Sequence, residues 1–154
     1  MADDIDDIDR QLVDALLADG RASASELADH AGIATATATK RLRKLEESEV
    51  IEGYRPDVDY SAFGYEVTAV FKLDVAGTGL AGVVEDLRSS GRMIGVYEVT
   101  GDHDIVAVGK FRSTDEMNEQ IKSVLTHPDV RSAATSVVLD TVAEYDRLPV
   151  ANAE

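Results

Sequence analysis

The hydrophobic period changes once along the chain, and the place where it changes divides the sequence into two folding problems. Up to residue 54 apolar residues recur at helical spacing, whereas from residue 65 they alternate in twos. Ile5, Ile8, Leu12 and Leu16 make one helical stripe, widened by Val13; Asp19-Gly20 ends it, with Gly20 expected in the left-handed C-cap conformation. Ser23 and Glu26 form a capping-box pair for a short helix over 24–31, which turns Leu27 and Ala28 inward and stops at Gly32. A third helix follows the Gly32-Ile33-Ala34 turn and reaches Glu47, with Ala38, Leu42 and Leu45 facing inward. Helix, short helix, tight turn and basic helix predict a helix-turn-helix, and Val50-Ile51-Glu52-Gly53-Tyr54 reads as a strand and turn forming a small wing.

Residues 55–64 contain Pro56, two aspartates, Ser61 and Gly64 without sustained periodicity, which is the pattern of a linker. Beyond it Tyr65, Val67, Ala69, Phe71, Leu73 and Val75 mark one face of a strand, broken by Gly77-Thr78-Gly79. Leu80, Val83, Val84 and Leu87 then form a helical stripe. Strands from Arg92 to Thr100 and from Asp104 to Arg112 flank the turn Gly101-Asp102-His103. Ser113 and Glu116 cap a helix carrying Met117, Ile121, Val124 and Leu125, and Arg131 to Val142 supplies a last strand. The order βαββαβ predicts a four-stranded antiparallel sheet with two helices on one face, the ferredoxin-like arrangement. The fold class is therefore α+β: a winged helix-turn-helix over 1–54, a linker over 55–64, the ferredoxin-like domain over 65–142 and a C-terminal tail over 143–154. Val70, Val96, Val106, Val108 and Val138 fall on the opposite alternation, so the open sheet face is expected to pair with a second copy.

Charge bears on the partner. The 154 residues carry 30 Asp+Glu against 15 Lys+Arg, a formal net charge of -15, which by itself argues against a polyanionic ligand. Its distribution matters more than its sum. Residues 1–55 hold 7 Lys+Arg and 13 Asp+Glu, a net of -6, yet four of those cations are Lys40, Arg41, Arg43 and Lys44. Only five of the fifteen basic residues are lysine, and with abundant Ala and Gly this composition resembles that of a protein from a halophile, whose acidic coat serves solvation. The absence of cysteine removes thiol catalysis, disulfides and cysteine-based zinc sites. An acidic N-terminus and the lack of a long apolar run predict a cytoplasmic protein with no membrane partner.

Ile5-Asp6 through Leu17, Gly20-Arg21, Ser25-Glu26-Leu27-Ala28, Gly32-Ile33, Arg41-Leu42-Arg43-Lys44-Leu45-Glu46 and Val50-Ile51-Glu52-Gly53-Tyr54 run colinear with the winged helix-turn-helix of the Lrp/AsnC family of transcriptional regulators. Val99-Thr100-Gly101-Asp102-His103-Asp104 resembles the Gly-Asp-x-Asp turn of that family's ligand-sensing domain. The resemblance implies a double-stranded DNA partner, self-association through the C-terminal sheet as a dimer building an octamer or other higher oligomer, and a small amino acid as effector, with no cofactor and no metal. It places Thr35, Thr37 and Lys40 nearest the bases, with Thr39 in the same DNA-binding segment, Arg41 positioning the helix, and Arg43 or Lys44 toward phosphates. For the effector it implies Gly101, Asp102, His103 and Asp104, with Tyr97, Thr135 and Ser136 as secondary contacts. The family commonly opens the recognition helix with Ser-Pro; here Ala34-Thr35 stands there, and Thr35 is expected to take over as cap.

Two other functions fit parts of the sequence. An architectural DNA-binding protein with weak sequence preference needs the same basic helix but no effector. A small metal-dependent enzyme would use Asp102, His103 and Asp104, although the sequence has neither a Gly-rich nucleotide signature nor a G-x-S-x-G elbow, and the expectation is that the chain is not an enzyme.

Overall fold

The computed structural model describes residues 5–151; the first positions of the 1–54 module and the last of the 143–154 tail lie outside them. Its contacts resolve two compact units, one formed by the chain up to Val58 together with the segment from Ala143 onward, the other by Asp59–Val142.

The first unit holds α1 (Asp7–Ala18), α2 (Ala24–Ala31) and α3 (Thr35–Glu47). Leu12, Leu27, Ala28 and Ala38 form its core, with Ile8, Leu16, Ile33 and Leu42 packed around them, so the apolar stripes seen in the sequence are the faces that meet. Ser23 accepts from Glu26 N, Glu26 reaches back to Ser23, and Gly32 closes α2 in the left-handed conformation (φ 65°, ψ 36°). Gly20 does not play that part for α1. Asp19 ends the helix in an extended conformation, its N–H donating to Ala15 O, and its carboxylate accepts from Arg21 N at 2.9 Å, so an aspartate turn reverses the chain instead. The cap of α3 also differs from expectation: Ala34 occupies the N-cap with no side-chain hydrogen bond, and Thr35 is already helical.

The wing strand is not formed. The N–H groups of Val50 and Ile51 both donate back to Leu45 O at 3.0 Å, which removes them from any ladder, and residues 52–59 run without regular structure. Tyr54 closes this segment onto α3 by donating to Glu46 at 2.8 Å; partial desolvation and that carboxylate push its hydroxyl up to about 12. The C-terminal segment is no separate tail either, because Val150 N lies 3.4 Å from Asp14 Oδ1 and Arg10 Nη1 lies 3.4 Å from Val150 O.

The second unit opens with a 3-10 turn, Tyr60–Phe63, inside the stretch that the sequence marks as linker. Asp59 caps it and Gly64 (φ 85°) ends it. Then follow β1 (Val67–Val75), α4 (Leu80–Ser89), β2 (Met93–Glu98), β3 (Ile105–Phe111), α5 (Thr114–Leu125) and β4 (Val130–Val137). The sheet order is β2-β3-β1-β4 and every neighbouring pair is antiparallel. Ala69, Phe71, Leu73 and Val75 of β1 are buried with Val83 and Leu87 of α4, Ile105, Ala107 and Phe111 of β3, and Met117 and Val124 of α5. Phe71 and Phe111 meet edge to face at 5.9 Å.

Leu125, the end of β4 and Val96 depart from expectation. Leu125 is the last residue of α5 and is half exposed. Val138 still donates to Thr68 O at 2.8 Å, but β4 ends at Val137, short of Val142, and Leu139 is wholly exposed. Val96 packs on the helix side, opposite Ala107, because the β2 register shifts between Met93 and Gly95. Tyr97 takes its place on the outer face, opposite Val106. A Cβ on Gly95 would lie 2.7 Å from the Tyr97 hydroxyl oxygen, so a side chain there would displace the Tyr97 ring.

The missing cap on α3 gives a direct test. Ala34→Ser supplies an acceptor for an unpaired first-turn N–H and should raise stability by about 0.5–2 kcal/mol, read as a higher denaturant midpoint at unchanged slope; a midpoint that falls contradicts the cap geometry.

Candidate nucleic-acid interface and effector turn

Helical spacing places Thr37, Lys40, Arg41 and Lys44 on one stripe of α3, and with Arg43 they line a surface cleft that also includes Asp6, Asp9 and Glu47. Thr37, Lys40, Arg43 and Lys44 are exposed. Thr35 is exposed at the helix start, outside that cleft, and Thr39 donates its hydroxyl to Thr35 O at 2.9 Å, within the helix itself. Arg41 is engaged elsewhere: Nη1 lies 2.7 Å from Asp6 Oδ2 and 2.9 Å from Asp9 Oδ1. The hydrogen bonds to Asp9 and then Asp6 raise the Arg41 pKa further, and the Asp9 backbone N–H followed by Arg41 holds the Asp6 carboxyl below its usual value. Asp-x-x-Asp at a helix start is a sequence sign of this arrangement, because the pair can cap α1 and still present oxygens outward.

The turn between β2 and β3 is pinned at several points. Gly101 takes a positive φ of 108°, which a side chain would strain. Asp104 accepts from Val75 N at 2.7 Å, while its own N–H donates to Leu73 O and its carbonyl accepts from Val99 N. His103 Nδ1 lies 3.2 Å from Asp74 Oδ1, and Ser132 Oγ donates to Asp74 Oδ2. Asp74 therefore ties the turn to β1 and β4, and with Ser132 it is a residue that the period-two pattern recorded only as the polar side of a strand. Asp102 is exposed at the turn.

The secondary contacts are not brought together within one chain. Thr135 pairs with Phe71 on the helix side, whereas Ser136 pairs with Val70 on the outer face. Tyr97 shares that outer face but sits on β2, at the opposite edge of the sheet from β4, about 14 Å away at three strand spacings. Asp102, His103 and Asp104 do not converge on a metal, since His103 faces Asp74 and Asp104 faces Val75; among the described residues no group of three or more His, Asp or Glu is placed to hold one.

Residues 5–52 match the family model for winged helix-turn-helix DNA-binding, and residues 68–148 match the Lrp/AsnC ligand binding domain. The chain belongs to the Lrp/AsnC family. An uncharacterised HTH-type transcriptional regulator of Pyrococcus furiosus is 36% identical over 145 residues, covering 94% of this chain and 98% of its own. The structure of E. coli AsnC matches with a TM-score of 0.84 at 26% identity, over 93% of this chain and 97% of that one. A feast or famine regulatory protein from M. tuberculosis complexed with L-methionine matches at 0.84 and 27% identity, over 94% and 99%. The α+β architecture expected from the sequence is thus the Lrp/AsnC architecture, and the relatives are transcriptional regulators, not members of an enzyme family. Among the described residues no helix is long and apolar enough to cross a membrane.

The Asp74 contacts set a pH dependence. Ser132, and after it His103, hold the Asp74 carboxyl below its usual value of 3.8. A depressed carboxylate stabilises the fold above its unfolded value, and that stabilisation is lost as pH falls through the folded one. Asp74→Asn should therefore melt below the wild-type chain at neutral pH, with the gap closing in acid; a gap of constant size across the pH series contradicts the arrangement.

Proposed function

We propose that the chain is a sequence-specific DNA-binding transcriptional regulator whose assembly or DNA affinity responds to a small amino acid. The observation that carries this reading is the exposed stripe of α3, where Thr37, Lys40, Arg43 and Lys44 gather in a chain whose formal charge is -15. A helix-turn-helix presents such a stripe to the major groove. Thr35, Thr37 and Lys40 approach base edges, Arg43 and Lys44 face phosphates, and Thr39 supports the helix. The half-exposed outer-face valines Val70, Val106, Val108 and Val138 support a dimer through the sheet that assembles into an octamer or another higher oligomer. Such a regulator works in the cytoplasm, with its acidic excess as a solvation coat suited to high salt.

The effector turn suits a zwitterion. Backbone amides around Gly101 take a carboxylate, and Asp102 takes the ammonium, because Asp104 and Asp74 are already engaged inside the chain. With Tyr97 and Ser136 at opposite edges of the sheet, a ligand that meets both kinds of residue lies between two copies.

Two measurements test this function. Charge reversal in the double variant Lys40→Glu/Arg43→Glu should weaken duplex binding on the order of tenfold or more while leaving the melting temperature and oligomer distribution unchanged; full affinity in the folded variant sinks the interface. Across a panel of amino acids including L-methionine, at least one should raise the melting temperature by about 2–4 °C at saturation, and Asp102→Ala should abolish the shift. No shift with any of them sinks the effector reading and leaves the DNA reading in place.

A further inference from the structure

Arg41 stands within the α3 surface assigned above to DNA, yet its guanidinium is held by α1. Each of the two aspartates divides its oxygens between two tasks. Asp6 Oδ1 accepts from Asp9 N at 2.9 Å and Asp9 Oδ2 accepts from Asp6 N at 3.2 Å, closing the capping box of α1; Asp6 Oδ2 and Asp9 Oδ1 both accept from Arg41 Nη1. All four carboxylate oxygens are therefore used. Asp9 is 5% exposed and the Arg41 side chain 29%, while the Asp6 side chain is 52% exposed, so the Arg41–Asp9 contact is the part of the cluster better shielded from solvent ions that would screen an exposed pair. Arg41 shares its helical stripe with Thr37, Lys40 and Lys44, so fixing its side chain fixes the rotation of α3 about its own axis.

We propose that Asp6, Asp9 and Arg41 form a positioning triad, in which the capping box of α1 sets the face that α3 presents to DNA and Arg41 makes no phosphate contact. This rests on the DNA-reading function above and names how its reading surface is aimed. The triad reverses a simple electrostatic expectation. A carboxylate beside a DNA-facing helix repels phosphate, so removing its charge would tighten binding if charge alone mattered. Here neutralising Asp9 loosens it, because α3 loses its register.

The test uses the full chain and a duplex enriched by the wild-type protein from a random-sequence pool, with affinity measured over a salt series. Asp9→Asn and Arg41→Ala should each lower affinity about tenfold with the wild-type salt slope retained, and the double variant should bind no worse than the weaker single one, as residues of one unit do. Asp6→Asn, at the more exposed carboxylate, gives the same direction with a smaller loss and keeps the readout available if Arg41→Ala does not fold. A slope that falls by about 0.9 per head in Arg41→Ala marks a lost phosphate contact and overturns the triad, as does tighter binding by Asp9→Asn; in both cases the DNA-reading function stands. A wild-type chain that retains no duplex from the pool overturns that function and the triad with it.

Discussion

The pairing of Arg41 with Asp6 and Asp9 is the interaction on which the DNA-reading unit depends, because it joins the first helix to the third by charge as well as by packing. The apolar core cluster of that unit is small: it consists of Leu12, Leu27, Ala28 and Ala38, two of them alanines that fix distance more than they add buried area, with Leu45 buried farther along α3. A core of that kind sets how closely the helices approach but constrains rotation weakly. An arginine held by two fixed carboxylates supplies the missing angular constraint. The same contacts occupy Asp6 and Asp9 with a capping box and with Arg41, while Lys40 and Arg43 stay exposed.

The sensing unit answers a different constraint. An antiparallel sheet with helices on one side fills that side and leaves the other half covered, so the outer valines and Tyr97 are available to a second copy. The β2–β3 turn is set at the end of this sheet by Asp104 on the Val75 amide and by Asp74 between His103 and Ser132. Its carboxylates thus divide into those that build the turn and Asp102, which is exposed on it. Coupling of effector to DNA requires that the ligand favour one assembly state over another, which the site proposed between copies would provide.

Helix and strand periods made most of this fold legible in the sequence, because burial on one face forces apolar residues into step with the backbone. The capping pair Ser23 and Glu26, Gly32 and the βαββαβ order all lie where the pattern puts them. What was not legible depended on strand register, on competing local turns and, in the sites, on partners distant in sequence. Val96 lies on the helix side because a register shift after Met93 moves it there, and strict alternation cannot record an extra residue. Val50 and Ile51 read as a strand from their composition, but their N–H groups turn back to Leu45. In the candidate sites, the residues of α3 and the turn were visible as short motifs, whereas Asp6 and Asp9 for Arg41, and Asp74 and Ser132 for His103, come from 29 or more positions away or from across the sheet. Gly20 shows the converse: a residue well suited to end a helix was not needed once Asp19 bonded to Arg21.

Equilibrium affinity for a duplex selected from random sequence, set beside a shuffled duplex of the same composition across a salt series, measures sequence-specific reading directly. A regulator of the kind proposed binds the selected duplex about 10³-fold or more tightly than the shuffled one, and both affinities fall log-linearly with salt. Equal affinity for the two duplexes at every salt concentration contradicts it and makes the basic stripe of α3 an architectural contact.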